Sequence, residues 1–194
     1  MKEEGKTMQW KKLLLLIAIF ITGQQGFSQI DGKVSLDFPS EDNAMQAAKE
    51  TVKAYETGNW EMLRSHVQRE AYFYNLGSFD SLSLDQTINY WKKGRESATP
   101  LLAEDGAWLP VSVPEGPRKG NWILHWGTNT LSYPNGETIS FPYHVALKFQ
   151  NNKVNQAHFY YDNNRIIRAL GYEIQPPFVE PEAENEDSGE DDEN

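Results

Sequence analysis

The sequence predicts an α+β fold in which N-terminal helices pack on the concave face of a curved antiparallel sheet. Hydrophobic periodicity changes once along the chain, from steps of three and four before residue 100 to alternation after Ala107. The alternating runs are joined by short turn signals, the pattern of a meander. Between two charged ends lies a body of roughly 150 residues, the usual size of one domain with one core.

Ser40 or Asp42 can cap a first helix whose Met45, Ala48, Val52 and Tyr55 share a face, and Gly58 ends it. Asn59 can cap a shorter second helix with Trp60, Leu63 and Val67 inward. The aromatic run Ala71–Asn75 suits a strand. Ser83 and Gln86 form a capping box, so Leu84, Ile88 and Trp91 line a third helix that Thr99-Pro100 stops. Segments 76–82 and 99–107 have no strong pattern and read as loops.

In the meander, Leu109, Val111 and Val113 alternate, and Pro110 places that run at an edge or bulge. Trp122 to Tyr133 forms the next strand, and Asn135-Gly136 signals the hairpin that follows. Phe141, Tyr143, Val145, Leu147 and Phe149 then occupy one face. Lys153 to Tyr161 is the last strand, and Asp162 or Asn163 caps a closing helix carrying Ile166, Ile167 and Leu170.

The 194-residue chain has a formal charge of −10, concentrated at its ends. Residues 1–28 carry +2 and contain a basic start, the apolar run Leu13–Ile21 and small residues near Ser28. That is the pattern of a secretory signal, too short to span a bilayer. An uncleaved anchor is the alternative, and both place the body outside the cytoplasm, periplasmic or extracellular. Residues 178–194 carry −9 with almost nothing apolar and read as a disordered acidic tail. The folded domain is therefore expected over 41–175. With the body near neutrality no basic stripe exists for phosphates, which argues against nucleic acid as a partner. Absence of cysteine excludes disulfides, thiol nucleophiles and a lipoprotein anchor.

Over about 45–172 the element order resembles the nuclear transport factor 2-like superfamily, and within it the SnoaL-like group. The local matches are Ala54-Tyr-Glu-Thr-Gly-Asn-Trp60, Tyr72-Phe-Tyr-Asn75, Phe149-Gln-Asn-Asn-Lys-Val154, and Tyr161-Asp162 with Ile167-Arg-Ala-Leu-Gly-Tyr172. The resemblance implies a cone with a pocket between helices and sheet, and a homodimer. It does not settle function, because the fold hosts isomerases, epoxide hydrolases, polyketide cyclases and members without known chemistry. The ketosteroid isomerase base position falls on Asn75, its donor tyrosine near Thr51 and its acidic donor near Val145, none of which has the required chemistry. The strands also lack the inward Asp-Arg-Asp set of the epoxide hydrolases.

The residues leave a ring-lined site and one acid/base candidate. Tyr55, Tyr74, Asn75, Trp91, Tyr133, Tyr143, Phe159 and Tyr161 are expected to line a pocket for an apolar or aromatic ligand. By strand parity His125 points inward, while His144 and His158 point outward, so a three-histidine metal site is not expected and no cofactor is implied. His125 and Asp162 are the candidate catalytic residues; a structural histidine and a helix cap are the competing readings. An exposed aromatic sheet face, with Trp122, Leu124 and Trp126 on one side of their strand, suits a dimer.

Overall fold

The computed structural model describes residues 34–77 and 79–175. The leader over 1–28 and the acidic tail over 178–194 lie outside the described residues. Two helices, α1 (Glu41–Thr57) and α2 (Trp60–His66), lead into the hairpin β1 (Val67–Leu76) and β2 (Phe79–Ser83). Helix α3 (Leu84–Ser97) follows, then β3 (Thr99–Leu102), β4 (Ala107–Val113), β5 (Gly120–Ser132), β6 (Thr138–Gln150), β7 (Lys153–Tyr161) and α4 (Asn163–Ala169). The strands form one sheet in the order β2-β1-β7-β6-β5-β3, with β4 also paired to β5. All pairings are antiparallel except β1 with β7, which run parallel, with helix α3 and five strands between them in sequence.

Local chemistry explains most boundaries. Gly58, left-handed at φ 71°, returns its N–H to Ala54 and ends α1. Asn59 accepts from Met62 N–H at 3.0 Å to start α2. Ser83 and Gln86 form the reciprocal capping box of α3. Asn151 and Asn152, both left-handed, make the tight turn between β6 and β7.

Three expectations need correction. Ser40 precedes α1 in a left-handed conformation and makes no side-chain cap, and Asp42 lies within the first turn. The buried face of α1 is Ala44, Ala47, Ala48, Thr51 and Ala54, rotated by about one position from the predicted one. Small side chains allow the closest approach to the sheet, which leaves Val52 and Tyr55 on the flank. The two supposed loops contain strands. Residues 79–83 return as β2 against β1, and Thr99–Leu102 pairs with Asn129–Ser132.

This second strand positions the site. Along one edge of β5, β4 covers Gly120–Trp126 and β3 covers Asn129–Ser132, so a single edge position is filled by two pieces. Pro100 is tolerated there because an edge strand does not need every N–H. The core lies between α1, α3 and the inner sheet face, with Phe73, Leu63, Ile123, Leu147 and Val145 fully buried. Leu84, Ile88 and Trp91 of α3 are buried as expected.

Candidate functional site

Where the helices leave the far end of β5, β6 and β7, the core opens into a cavity of about 630 Å³. Its floor is the inner face of β6 and β7, namely Phe141, Tyr143, Val145, Leu147, Phe159 and Tyr161. Helix α1 contributes Thr51, Val52 and Tyr55, and α3 contributes Tyr90, Trp91, Gly94 and Arg95. The rim comes from Pro100 and Leu102 of β3, Asn129, Leu131 and Tyr133 near the end of β5, and Asn163, Ile166 and Leu170 at the closing helix. No Asp, Glu or His lies among these lining residues.

Aromatic packing fixes the deep end. Trp91 meets Tyr55 at 5.1 Å between centroids, Phe73 at 5.7 Å edge-on and Phe159 at 5.9 Å edge-on. The hydroxyls around the wall are held in place. Asn129 Nδ2 donates to Tyr55 Oη at 3.0 Å, and Gly77 N–H donates to Tyr161 Oη at 2.9 Å. Burial raises the pKa of Tyr55, and it raises Tyr90 and Tyr143 far above the usual phenol range, so all three stay neutral. Arg95 donates to the carbonyls of Tyr55 (3.2 Å) and Glu56 (2.7 Å), tying α3 to the end of α1. Burial pushes the Glu56 carboxyl upward, but hydrogen bonds from Lys53 and from the Leu102 N–H outweigh it and leave its pKa lowered. The carboxylate thus pins β3 beside the rim.

His125 lies behind this wall. It is 3% exposed, with Trp108 stacked on it at 3.7 Å and Tyr143 Oη 2.8 Å from Nε2. Desolvation lowers its pKa, partly offset by the Ala107 carbonyl at Nδ1, so the ring is neutral at neutral pH.

The structure brings six of the predicted ligand residues together: Tyr55, Trp91, Tyr133, Tyr143, Phe159 and Tyr161 all line the cavity. Tyr74 does not. It stacks on His158 at 4.5 Å on the outer face, because strand alternation gives that face every second residue of β1. Asn75 is exposed and left-handed at φ 62°, at the approach to the β1–β2 turn, and does not line the cavity. Asp162 caps α4, accepting from Arg165 N–H at 3.1 Å, and does not line the cavity either. His125 reaches the cavity only through Tyr143. Thr51 and Val145, where the isomerase donors would fall, do face it. Trp122, expected on an exposed face, is buried against His158 with Lys148 over its ring. Among the described residues no group of three or more His, Asp or Glu is placed to hold a metal ion.

Sequence reading missed Asn129, Tyr90, Arg95 and the β3 residues. Asn129 shares parity with His125 and was detectable; Leu102 and Pro100 were not, since Thr99-Pro100 reads as a helix stop. No helix among the described residues is long and apolar enough to cross a membrane.

No protein-family model and no curated protein matches the chain. Solved structures do. A candidate polyketide cyclase from Xanthomonas campestris superposes with TM-score 0.57 at 13% identity, covering 68% of this chain and 99% of that one. An NTF2-like protein of unknown function from Burkholderia pseudomallei gives 0.54 at 16%, covering 67% and 98%. An epoxide hydrolase from M. tuberculosis gives 0.52 at 11%, covering 68% and 92%. At such identities the likeness carries the fold alone.

Proposed function

Starting from the nuclear transport factor 2-like fold that this chain has, we propose that it is an exported small-molecule-binding protein. Its cone cavity holds an apolar or aromatic ligand without altering it. The observation that carries this reading is the lining: mostly rings and aliphatic side chains, with Lys93 and Arg95 contributed by α3 and no carboxylate or imidazole at the cavity surface. An enclosed apolar volume with a few fixed polar atoms is what a ring-bearing ligand needs, since burial of its surface stabilises and the hydroxyls orient it. Cyclase or hydrolase chemistry, suggested by the names of structural neighbours, needs a group that accepts a proton, and the cavity surface offers none directly.

A second reading has one observation in its favour. Tyr143 Oη stands 2.8 Å from His125 Nε2, so a proton delivered to the phenol oxygen has an acceptor behind it. That would make the protein a weak proton-transfer enzyme of cyclase or isomerase type. Asp162 has no part in it, being committed to the cap of α4.

Export rests on the pattern of residues 1–28. Homodimerisation is supported by the outer sheet face, where Tyr72, Trp126 and Tyr160 remain 44–51% exposed. Native mass spectrometry of the protein purified from its own host tests the binding reading. The expected result is a retained small molecule, released unchanged. A protein that retains nothing and gains no thermal stability from ring compounds overturns the reading, and conversion of the retained compound favours the second.

A further inference from the structure

Behind Tyr143 the cavity wall decides which way a hydrogen bond can run. His125 Nδ1 lies 3.0 Å from the Ala107 carbonyl oxygen. A carbonyl only accepts, so Nδ1 carries the ring proton and Nε2 is a bare acceptor. The 2.8 Å contact between Nε2 and Tyr143 Oη then takes its hydrogen from the phenol. Tyr143 has one hydroxyl hydrogen, and it is directed into the wall. Toward the cavity the oxygen presents lone pairs.

The surroundings hold His125 in this arrangement. Trp108 stacks on one side of the ring at 3.7 Å. A Cβ on Gly106 would stand 2.4 Å from His125 Cε1, and one on Gly127 would stand 3.0 Å from Nε2 and 3.1 Å from the Tyr143 ring. Neither glycine has a positive φ, so what each supplies is space and not an unusual backbone. Gly127 is also the register partner of Tyr143 across β5 and β6. The imidazole therefore occupies a socket cut to its outline.

Two residues along β5 from Gly127, Asn129 fixes a second phenol of the wall, Tyr55. Asn129 is 5% exposed and lines the cavity; its Nδ2 donates to Tyr55 Oη, which leaves Oδ1 buried with no partner among the described residues. The other fixed phenol, Tyr161, already receives the Gly77 N–H. Tyr55 and Tyr161 each accept a hydrogen bond and keep their own hydroxyl hydrogen, whereas the hydrogen of Tyr143 is committed to His125, so Tyr143 Oη can meet a ligand hydrogen but not a ligand oxygen.

We propose that the cavity favours ring-bearing small molecules that carry a hydrogen-bond donor, a phenolic or alcoholic hydroxyl or a ring N–H, taken by Tyr143 Oη. This rests on the binding reading above and names the ligand class of that site. His125 is the positioning residue: it touches no ligand and acts by occupying the Tyr143 hydrogen. A ketone, ether or quinone oxygen placed at Tyr143 Oη lacks the hydrogen that this oxygen requires.

Calorimetric titration of the folded protein with 2-naphthol and with 2-methoxynaphthalene tests this. The two share ring and oxygen and differ in the donor. One neutral hydrogen bond against a desolvated, unmatched acceptor predicts about tenfold tighter binding of 2-naphthol. In Tyr143→Phe the difference shrinks toward equality while 2-methoxynaphthalene binding persists, which also shows that the variant is folded. Gly127→Ala, which crowds the pair without altering either residue, reduces the same ratio. Nitrogen-15 NMR of the imidazoles adds a readout independent of any ligand: His125 is expected as the Nδ1–H tautomer. Equal binding of the two naphthalenes, an unchanged ratio in Tyr143→Phe, or an Nε2–H tautomer overturns the donor rule alone. Failure of both probes to enter the cavity overturns the binding reading and the donor rule together.

Discussion

Both faces of this sheet carry aromatic rings and histidine, and the ring-lined cavity lies on the inner one. On the inner face, His125 and Trp108 form a stack whose hydrogen bonds end on Tyr143 at the edge of empty space. On the outer face, Trp126, His144 and Tyr160 form a ladder at 4.5 and 5.6 Å, and Trp122, His158 and Tyr74 form a second cluster. Composition does not separate the two. What separates them is that α1 and α3 stand over the inner face and are held apart at one end by rings too large for the gap to close. A ring on a strand marks a ligand site only when another element covers it incompletely.

The largest effect should follow from removing the ring that props this gap. Trp91 is 6% exposed and touches Tyr55, Phe73 and Phe159. Trp91→Ala is expected to cost about 3–5 kcal/mol of stability, read as a fall in the urea midpoint. Trp126→Ala, on the outer ladder and 44% exposed, should cost under about 1 kcal/mol in the monomer. Equal costs would mean that the outer face is as tightly packed as the inner one, and the contrast between faces would be lost.

Glycines sharpen the same contrast. A Cβ at Gly106 meets His125 at 2.4 Å and the Trp126 carbonyl at 2.8 Å, so Gly106→Ala should destabilise by about 1–3 kcal/mol through overpacking. A Cβ at Gly94, inside α3 on the cavity wall, meets nothing within 4 Å. Gly94→Ala should stabilise by about 0.5–1 kcal/mol from helix propensity, since here the helix borders space. Both are measured by denaturant unfolding, and destabilisation by Gly94→Ala would indicate a cavity more closed than described.

Much of this arrangement was readable from the sequence. The capping box of Ser83, the Asn135-Gly136 hairpin and the alternation of Phe141 through Phe149 are local signals, and local signals survive in a linear reading. The parity that turned His125 inward and His158 outward is equally local. β2 and β3 were not readable, because each is short and makes sense only once the partner strand exists; Pro100 belongs to an edge whose tolerance for a missing N–H depends on what lies beside it. Tyr74 and Asn75 were misassigned for a related reason: the aromatic run of β1 is continuous, and only the sheet shows which half of it faces the helices.

The histidines give the comparison a pH axis. Desolvation lowers the pKa of His125, His144 and His158 in the folded protein below 6.5; the neighbouring Arg118 and Lys148 add to this at His158. Arg118 Nη1 can only donate, so His158 Nε2 at 3.4 Å accepts and is unprotonated. A lowered folded pKa means that the unfolded chain binds more protons. Stability from these groups is therefore complete above about pH 6.5 and declines as pH falls toward the folded pKa values. His158→Gln should flatten that decline without altering ligand affinity, whereas His125→Gln should flatten it and change affinity as well. Denaturation series from pH 7.5 to 5, paired with titrations at pH 7.5, separate the two faces; an affinity change in His158→Gln would erase the distinction.

The smallest expected effect concerns Asp162, which lies at the junction of sheet and closing helix where an acid could serve either chemistry or architecture. Its oxygen accepts the Arg165 N–H at 3.1 Å, and the helix it starts carries Ile166, with Leu170 just beyond it, to the cavity rim. Asn caps as well as Asp, so Asp162→Asn should leave both stability and probe binding unchanged, while Asp162→Ala should cost about 0.5–1 kcal/mol and loosen the rim enough to weaken binding slightly. An acid would behave in the opposite way: Asn, which cannot transfer a proton at neutral pH, would be as damaging as Ala. The ratio of the two variants in binding and in any turnover therefore assigns Asp162 without knowledge of the natural ligand, because a cap is indifferent to charge and a proton donor is not.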